Sequence, residues 1–88
     1  MTTMPLSQSE LKRALAHLEA SEWQAAHEIV QKDEDSALAC WAHGIVHLME
    51  GDLPNARYWY RQAKRRFAGT PQAKSEIESL RRALDEED

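Results

Sequence analysis

Residues 36–63, SALACWAHGIVHLMEGDLPNARYWYRQA, decide the fold of this 88-residue chain. Two runs of helix-forming residues are separated by Gly51 and Asp52. Gly51 suits the end of a helix, where a positive φ costs glycine little, and Asp52 can cap the next helix at once. Pro54 then lies in the first helical turn, where its missing N–H leaves no hydrogen bond unmade. The stretch predicts two antiparallel helices, the second reaching about Phe67.

The flanking segments predict three further helices. Ser7 and Glu10 have the S-x-x-E spacing of a capping box, which indicates the start of the first helix. Ser21 is expected to cap the second helix and Thr70 the fifth, with Pro71 in its first turn. No alternation of apolar and polar residues persists, so no strand is predicted. The expected fold class is all-α, with about five antiparallel helices.

Length and composition exclude several classes of protein. The chain is long enough for one domain, residues 1–88, with segments 1–6 and 86–88 expected to be disordered. Fifteen acidic against eleven basic residues argue against a nucleic-acid-binding protein. The N-terminal residues lack the pattern of a secretory signal, and no apolar run could span a membrane. A single cysteine, Cys40, excludes an internal disulfide, so a cytoplasmic protein without membrane association is expected.

The third and fourth predicted helices carry the pattern Cys40-x3-Gly44-x6-Gly51-Asp52-x3-Ala56-x3-Tyr60-x2-Ala63. This pattern resembles the tetratricopeptide repeat, a stack of helical hairpins. The resemblance implies that Gly44 and Ala56 form the close crossing of the two helices. It also implies that the fifth helix caps the array and that a concave apolar surface is lined by Trp41, Ile45 and Leu48. We expect the first helix, the fifth helix, a second copy of the chain or a ligand to cover this surface.

A second pattern, H-x3-H-x2-EGD-x2-NA-x-YWY, runs from His43 to Tyr60. It resembles a family of small uncharacterised bacterial and fungal proteins with no established activity to transfer. The resemblance therefore implies only that the polar residues of this pattern are candidates for a functional site.

Histidines are concentrated on one side of the third helix. At about 100° per residue, His43, His47 and Glu50 share one stripe, and His27 can approach it from the second helix. The fourth helix adds polar and aromatic residues nearby. The predicted polar cluster consists of His27, His43, His47, Glu50, Asn55, Tyr58 and Trp59.

The cluster allows three interpretations. A buried polar network, in which each histidine satisfies a neighbour, is favoured from the sequence. A divalent transition-metal site or a small enzyme using His27, His43, His47 and Glu50 is the alternative, although no H-E-x-x-H signature is present. A pocket for a small molecule or peptide is the third. No cofactor is favoured, and no serine or cysteine has a convincing catalytic base.

The favoured function is a protein- or ligand-binding scaffold module, acting through a protein partner or self-association. Five cations mark the fourth helix and the residues after it: Arg57, Arg61, Lys64, Arg65 and Arg66. They could meet an acidic partner or a phosphate, but a solvated face is the simpler interpretation.

Overall fold

The computed structural model describes residues 5–67 and 69–86, which form five helices and no strand. The helices are α1 (Gln8–Glu19), α2 (Trp23–Val30), α3 (Ala37–Glu50), α4 (Leu53–Gln62) and α5 (Ala73–Glu86). The predicted all-α class is confirmed. α3 lies at the centre, because it packs against each of the other four helices. Within the described residues, none of the helices combines the length and apolar character needed to cross a membrane.

The two termini were expected to be disordered, and most of those residues lie outside the described ranges. Residues 1–4 and 87–88 are the ones concerned. At the inner edges of these segments, Leu6 packs against the core and Glu86 is the last residue of α5.

Three predicted helix ends are observed as expected. The Ser7 hydroxyl accepts a hydrogen bond from the Glu10 backbone N–H at 3.1 Å, and the Glu10 carboxylate accepts one from the Ser7 N–H. α3 ends at Gly51, whose φ of 87° is left-handed. Asp52 caps α4 by accepting from the Asn55 N–H. These local signals act without tertiary contacts, which is why sequence patterns located them.

The end of α4 was predicted wrongly. The helix ends at Gln62 rather than near Phe67, because the chain turns at Lys64, whose φ is 60°. The Arg65 N–H donates to the Tyr60 carbonyl at 2.9 Å, which closes a Schellman-type cap. α1 ends in the same way, because the chain turns at Ser21 (φ 62°). Ser21 therefore does not cap α2, which begins at Trp23. α5 begins at Ala73, not directly after Thr70 as was predicted. Non-glycine residues in this conformation carry no sequence signal.

α3 and α4 approach each other closely at Gly44, as the hairpin pattern predicted. A methyl group at Gly44 would lie 2.5 Å from Cδ1 of Tyr60 and 3.4 Å from the carbonyl oxygen of Ala56. The Tyr60 ring therefore lies directly against the α3 backbone, and Tyr60 is fully buried. Only a residue without Cβ permits this approach.

The expected concave apolar surface is not an open surface. Trp41 is 4% exposed and Ile45 is completely buried, while Leu48 packs at the edge of the core. The reason is that α5 packs onto α3: the Trp41 indole N–H donates to the Glu76 carboxylate at 3.2 Å. The Arg65 guanidinium then covers the Trp41 ring at 3.5 Å. α5 therefore covers the side of α3 on which the concave surface was predicted.

Tyr60 joins this contact from α4. Its hydroxyl donates to the same Glu76 oxygen at 2.6 Å. Burial and the neighbouring Glu76 carboxylate both raise the pKa of Tyr60, so the hydroxyl keeps its proton and remains a donor. One carboxylate on α5 thus accepts hydrogen bonds from side chains on α3 and α4.

We expect Gly44→Ala to lower the free energy of unfolding by about 2 kcal/mol, because the new methyl group would overlap the Tyr60 ring. Urea unfolding measures the change. A double variant, Gly44→Ala with Tyr60→Leu, should recover part of the loss relative to Tyr60→Leu alone. Unchanged or increased stability of Gly44→Ala would contradict the close crossing.

We expect Lys64→Gly to raise the free energy of unfolding by about 0.5–1 kcal/mol. Glycine adopts the positive φ of this position without the steric cost that a Cβ carries, and this gain exceeds its greater unfolded-state entropy. Gly51→Ala is the matched control, because its Cβ would meet nothing within 4 Å. Any decrease in its free energy of unfolding therefore measures the steric cost of the positive φ alone. Lower stability of Lys64→Gly would show that the lysine side chain stabilises this turn.

Candidate metal centre

Three imidazole rings converge where α2 packs against α3. The ring centroids of His27 and His43 are 4.9 Å apart, those of His43 and His47 are 5.2 Å apart, and those of His27 and His47 are 5.6 Å apart. One ring nitrogen from each residue lies within 4.8 Å of the other two. The sequence-based prediction that His27 approaches the α3 histidines therefore agrees with the geometry. We call these three residues the histidine triad.

Helix geometry and core packing position the triad. His43 and His47 are four residues apart, so they lie on one side of α3, one turn from each other. Ala26 and Val30 on α2 are completely buried, and this apolar side holds the helix in place. His27 follows Ala26 directly and therefore lies at the edge of the packed side, facing the α3 stripe.

His43 is the most enclosed member of the triad. It is 4% exposed, and the Trp59 ring from α4 stacks on it with centroids 3.9 Å apart and an angle of 10°. Its Nδ1 atom is buried and has no hydrogen-bond partner among the described residues. The favoured interpretation from the sequence, a network in which every histidine satisfies a neighbour, therefore does not hold for His43.

Burial also determines the charge of this imidazole. Removal from water, together with the smaller effects of the neighbouring His27 and His47, lowers the pKa of His43 to about 3. The ring is consequently neutral at physiological pH. A neutral imidazole is the form that binds metal ions, so no proton has to leave before a ligand arrives.

His47 has a carboxylate partner behind it. Its Nδ1 lies 2.9 Å from a carboxylate oxygen of Glu50, one helical turn further along α3. In the tautomer that donates Nδ1–H to Glu50, the Nε2 atom keeps its lone pair. Glu50, which was predicted as a possible fourth ligand, lies in contact with His47 Nδ1 and can orient the His47 ring.

The remaining predicted cluster residues divide into two groups. Trp59 belongs to the site through its stack on His43, and the Tyr58 ring meets Trp59 edge-on at 5.0 Å while remaining 47% exposed. Asn55 belongs to the α4 cap, because its amide donates to the Asp52 carboxylate at 2.6 Å. Asn55 therefore does not serve as a histidine partner.

Asp52 is a residue that sequence reasoning assigned only to a helix cap. Its carboxylate, that of Glu50 and a ring nitrogen of His47 lie within 4.8 Å of one another, beside the triad. The spacing E-G-D immediately after His47 carried this information, because a tight turn brings the residues on its two sides together.

His17, the fourth histidine, lies elsewhere. Its Nδ1 is 2.8 Å from a carboxylate oxygen of Glu22, in an exposed pair at the end of α1. It has the same carboxylate partnership as His47 but does not belong to the triad, so it provides a matched control.

We expect the metal-free protein to lose stability as the pH falls below about 6.5. An unfolded imidazole has a pKa of about 6.5, whereas His43 in the folded protein has a pKa of about 3. Between these values the unfolded chain binds one more proton. The free energy of unfolding should therefore fall by about 1.4 kcal/mol per pH unit through this group.

His43→Phe keeps a flat ring on Trp59 and removes the titration. Chemical unfolding of both proteins at pH 7, 6 and 5, with a chelator present, measures the difference. The variant should have the flatter pH dependence, whereas His17→Phe should match the natural chain. Equal slopes for all three proteins would mean that His43 is accessible to protons in the folded state.

Comparisons with protein-family models, with curated proteins and with solved structures find no match for this sequence. The tetratricopeptide-like arrangement and the membership of a motif family remain predictions. What the site can do follows from its geometry.

Proposed function

We propose that this protein is a small helical metal-binding domain, which holds one divalent transition-metal ion through His27, His43 and His47. Two observations carry the proposal: three imidazoles converge, and one of them, His43, has a buried Nδ1 atom without a hydrogen-bond partner among the described residues. A scaffold role would need only packed apolar helices and no such cluster.

The energetics favour a ligand at this position. A buried polar atom without a hydrogen bond costs about 1–3 kcal/mol. Filling the His43 position with phenylalanine or leucine would avoid that cost, so the histidine lowers stability in the metal-free chain. A bound metal ion would offset this loss of stability, because it accepts electron pairs from imidazole nitrogens that have no hydrogen-bond donor in the metal-free chain.

The type of ligand atom indicates the class of ion. Three imidazole nitrogens suit Zn²⁺, Cu²⁺, Ni²⁺ and Co²⁺, whereas Mg²⁺ and Ca²⁺ prefer oxygen ligands. Zn–N bonds of about 2.0–2.1 Å place tetrahedral ligand atoms about 3.4 Å apart. The triad nitrogens lie within 4.8 Å of one another, so binding would draw the three rings closer together. A fourth position would remain for water or another ligand.

The surrounding residues would support the ion. Glu50 holds Nδ1–H of His47 and thereby orients the ring, as carboxylates behind metal-bound histidines commonly do. Trp59 fixes the plane of His43 by stacking and keeps water from it. Because His27 lies on α2 and the other two ligands on α3, a bound ion would link the two helices.

We expect the tag-free protein to bind one Zn²⁺ per chain in isothermal titration calorimetry. Zn²⁺ at about one hundred times its dissociation constant should raise the free energy of unfolding by about 2.7 kcal/mol, because only the folded chain assembles all three ligands. Mg²⁺ at the same concentration should have no effect.

His27→Ala, His43→Phe and His47→Ala should each abolish or greatly weaken the binding, by at least about tenfold. His17→Ala, which removes a histidine outside the triad, should bind Zn²⁺ like the natural chain. Equal loss in His17→Ala, or retained binding in all three triad variants, would contradict the proposed site. Glu50→Gln should weaken binding by about tenfold or more if Glu50 orients His47.

A further inference from the structure

Positive charge is concentrated in one part of this acidic protein. Residues 53–75 contain six of the eleven basic residues and none of the fifteen acidic ones. Five of these cations lie on α4 or just after it, and all five are exposed: Arg57, Arg61, Lys64, Arg65 and Arg66. We call these five residues the α4 basic surface.

The α4 basic surface has no acidic partner in the described part of the chain. The described residues form ion pairs such as His17–Glu22, His47–Glu50 and Arg81–Glu19, and none of these involves the α4 basic surface. Among the five helices, the backbone of α4 approaches that of α3 alone, so its outer side faces no other helix. Glu76 lines one cavity with Lys64, Arg65 and Arg66 but forms no ion pair with them. Five cations against this one carboxylate repel one another, and an anionic partner would relieve that repulsion.

Two members of the α4 basic surface are already held in place. The Arg57 guanidinium lies 5.3 Å from the centre of the Phe67 ring, and that of Arg65 lies 3.5 Å from the Trp41 ring. These cation–π contacts restrict the side chains without neutralising them. A partner therefore meets charges that have already lost part of their conformational freedom, which lowers the entropic cost of binding.

We propose that the α4 basic surface binds a short acidic segment of a partner protein. α4 has ten residues and is about 15 Å long, which matches four or five residues of an extended peptide. The exposed ring of Tyr58 lies next to Arg57 in the sequence and offers an apolar contact to a side chain between the acids. This interaction is separate from metal binding by the histidine triad.

The distribution of charge in the protein favours a short acidic peptide over a longer polyanion as the partner. Outside residues 53–75, the chain contains all fifteen acidic residues and only five basic ones. This excess of acidic residues repels a nucleic acid or an anionic membrane, which extends well beyond about 15 Å, more strongly than it repels a segment of four or five residues.

Fluorescence anisotropy with a labelled peptide, EDLDE, tests the proposal, with QNLNQ as the neutral counterpart. We expect the acidic peptide to bind at low salt, to weaken as salt is raised, and to bind more tightly than single-stranded DNA or phosphatidylserine vesicles. R57Q/R61Q removes two charges one turn apart on α4 and should weaken binding about tenfold or more. The control R13Q/R82Q removes two exposed charges from α1 and α5 and should leave the affinity unchanged.

Circular dichroism and unfolding curves establish that both double variants fold. The proposal is overturned if EDLDE does not bind at low salt, if QNLNQ binds equally well, or if both double variants lose the same affinity. Tighter binding of DNA or vesicles than of the peptide would overturn it as well, since the partner would then be of another class. His43→Phe should bind the peptide normally, which separates this outcome from that of the metal proposal.

Discussion

The contact between the Tyr60 ring and the backbone of α3 at Gly44 is the constraint on which the rest of the structure depends. Because Gly44 has no side chain, α4 approaches α3 closely enough for the Tyr60 ring to be completely buried. From that position the Tyr60 hydroxyl reaches Glu76 of α5, which also accepts the Trp41 indole N–H. The same crossing therefore positions α4 and anchors α5, so a single glycine affects the placement of two helices.

The candidate metal centre is a consequence of this arrangement. Trp59 precedes Tyr60, so fixing Tyr60 against Gly44 brings the Trp59 ring onto His43. That stack closes one side of His43 while α2 brings His27 to its edge. The burial that results is what keeps the imidazole neutral and leaves its Nδ1 without a partner. Packing of the helices therefore leaves a buried nitrogen without a hydrogen bond, which lowers stability, and keeps the imidazole in the neutral form that can bind a metal ion.

The two proposals use different parts of the same hairpin. The inner side of α4 supplies the aromatic cover of the histidine triad, and its outer side carries unpaired cations. Arg65 connects the outer side to the core, because it covers Trp41 while remaining exposed itself. A metal ion would strengthen the α2–α3 contact, whereas an acidic segment would compensate charge on α4. Each proposal can fail without the other.

The sequence by itself determined the helical class, the capping box at Ser7, the turn at Gly51 and Asp52, and the shared stripe of His43 and His47. These features depend on residues a few positions apart, whose hydrogen bonds and periodicity are local. Only the tertiary structure decided that Tyr60 lies against Gly44, that α5 covers Trp41, and that Trp59 stacks on His43. These contacts join residues that are far apart in the sequence. They depend on the free energy of packing one helix against another, which the spacing of neighbouring residues does not reveal.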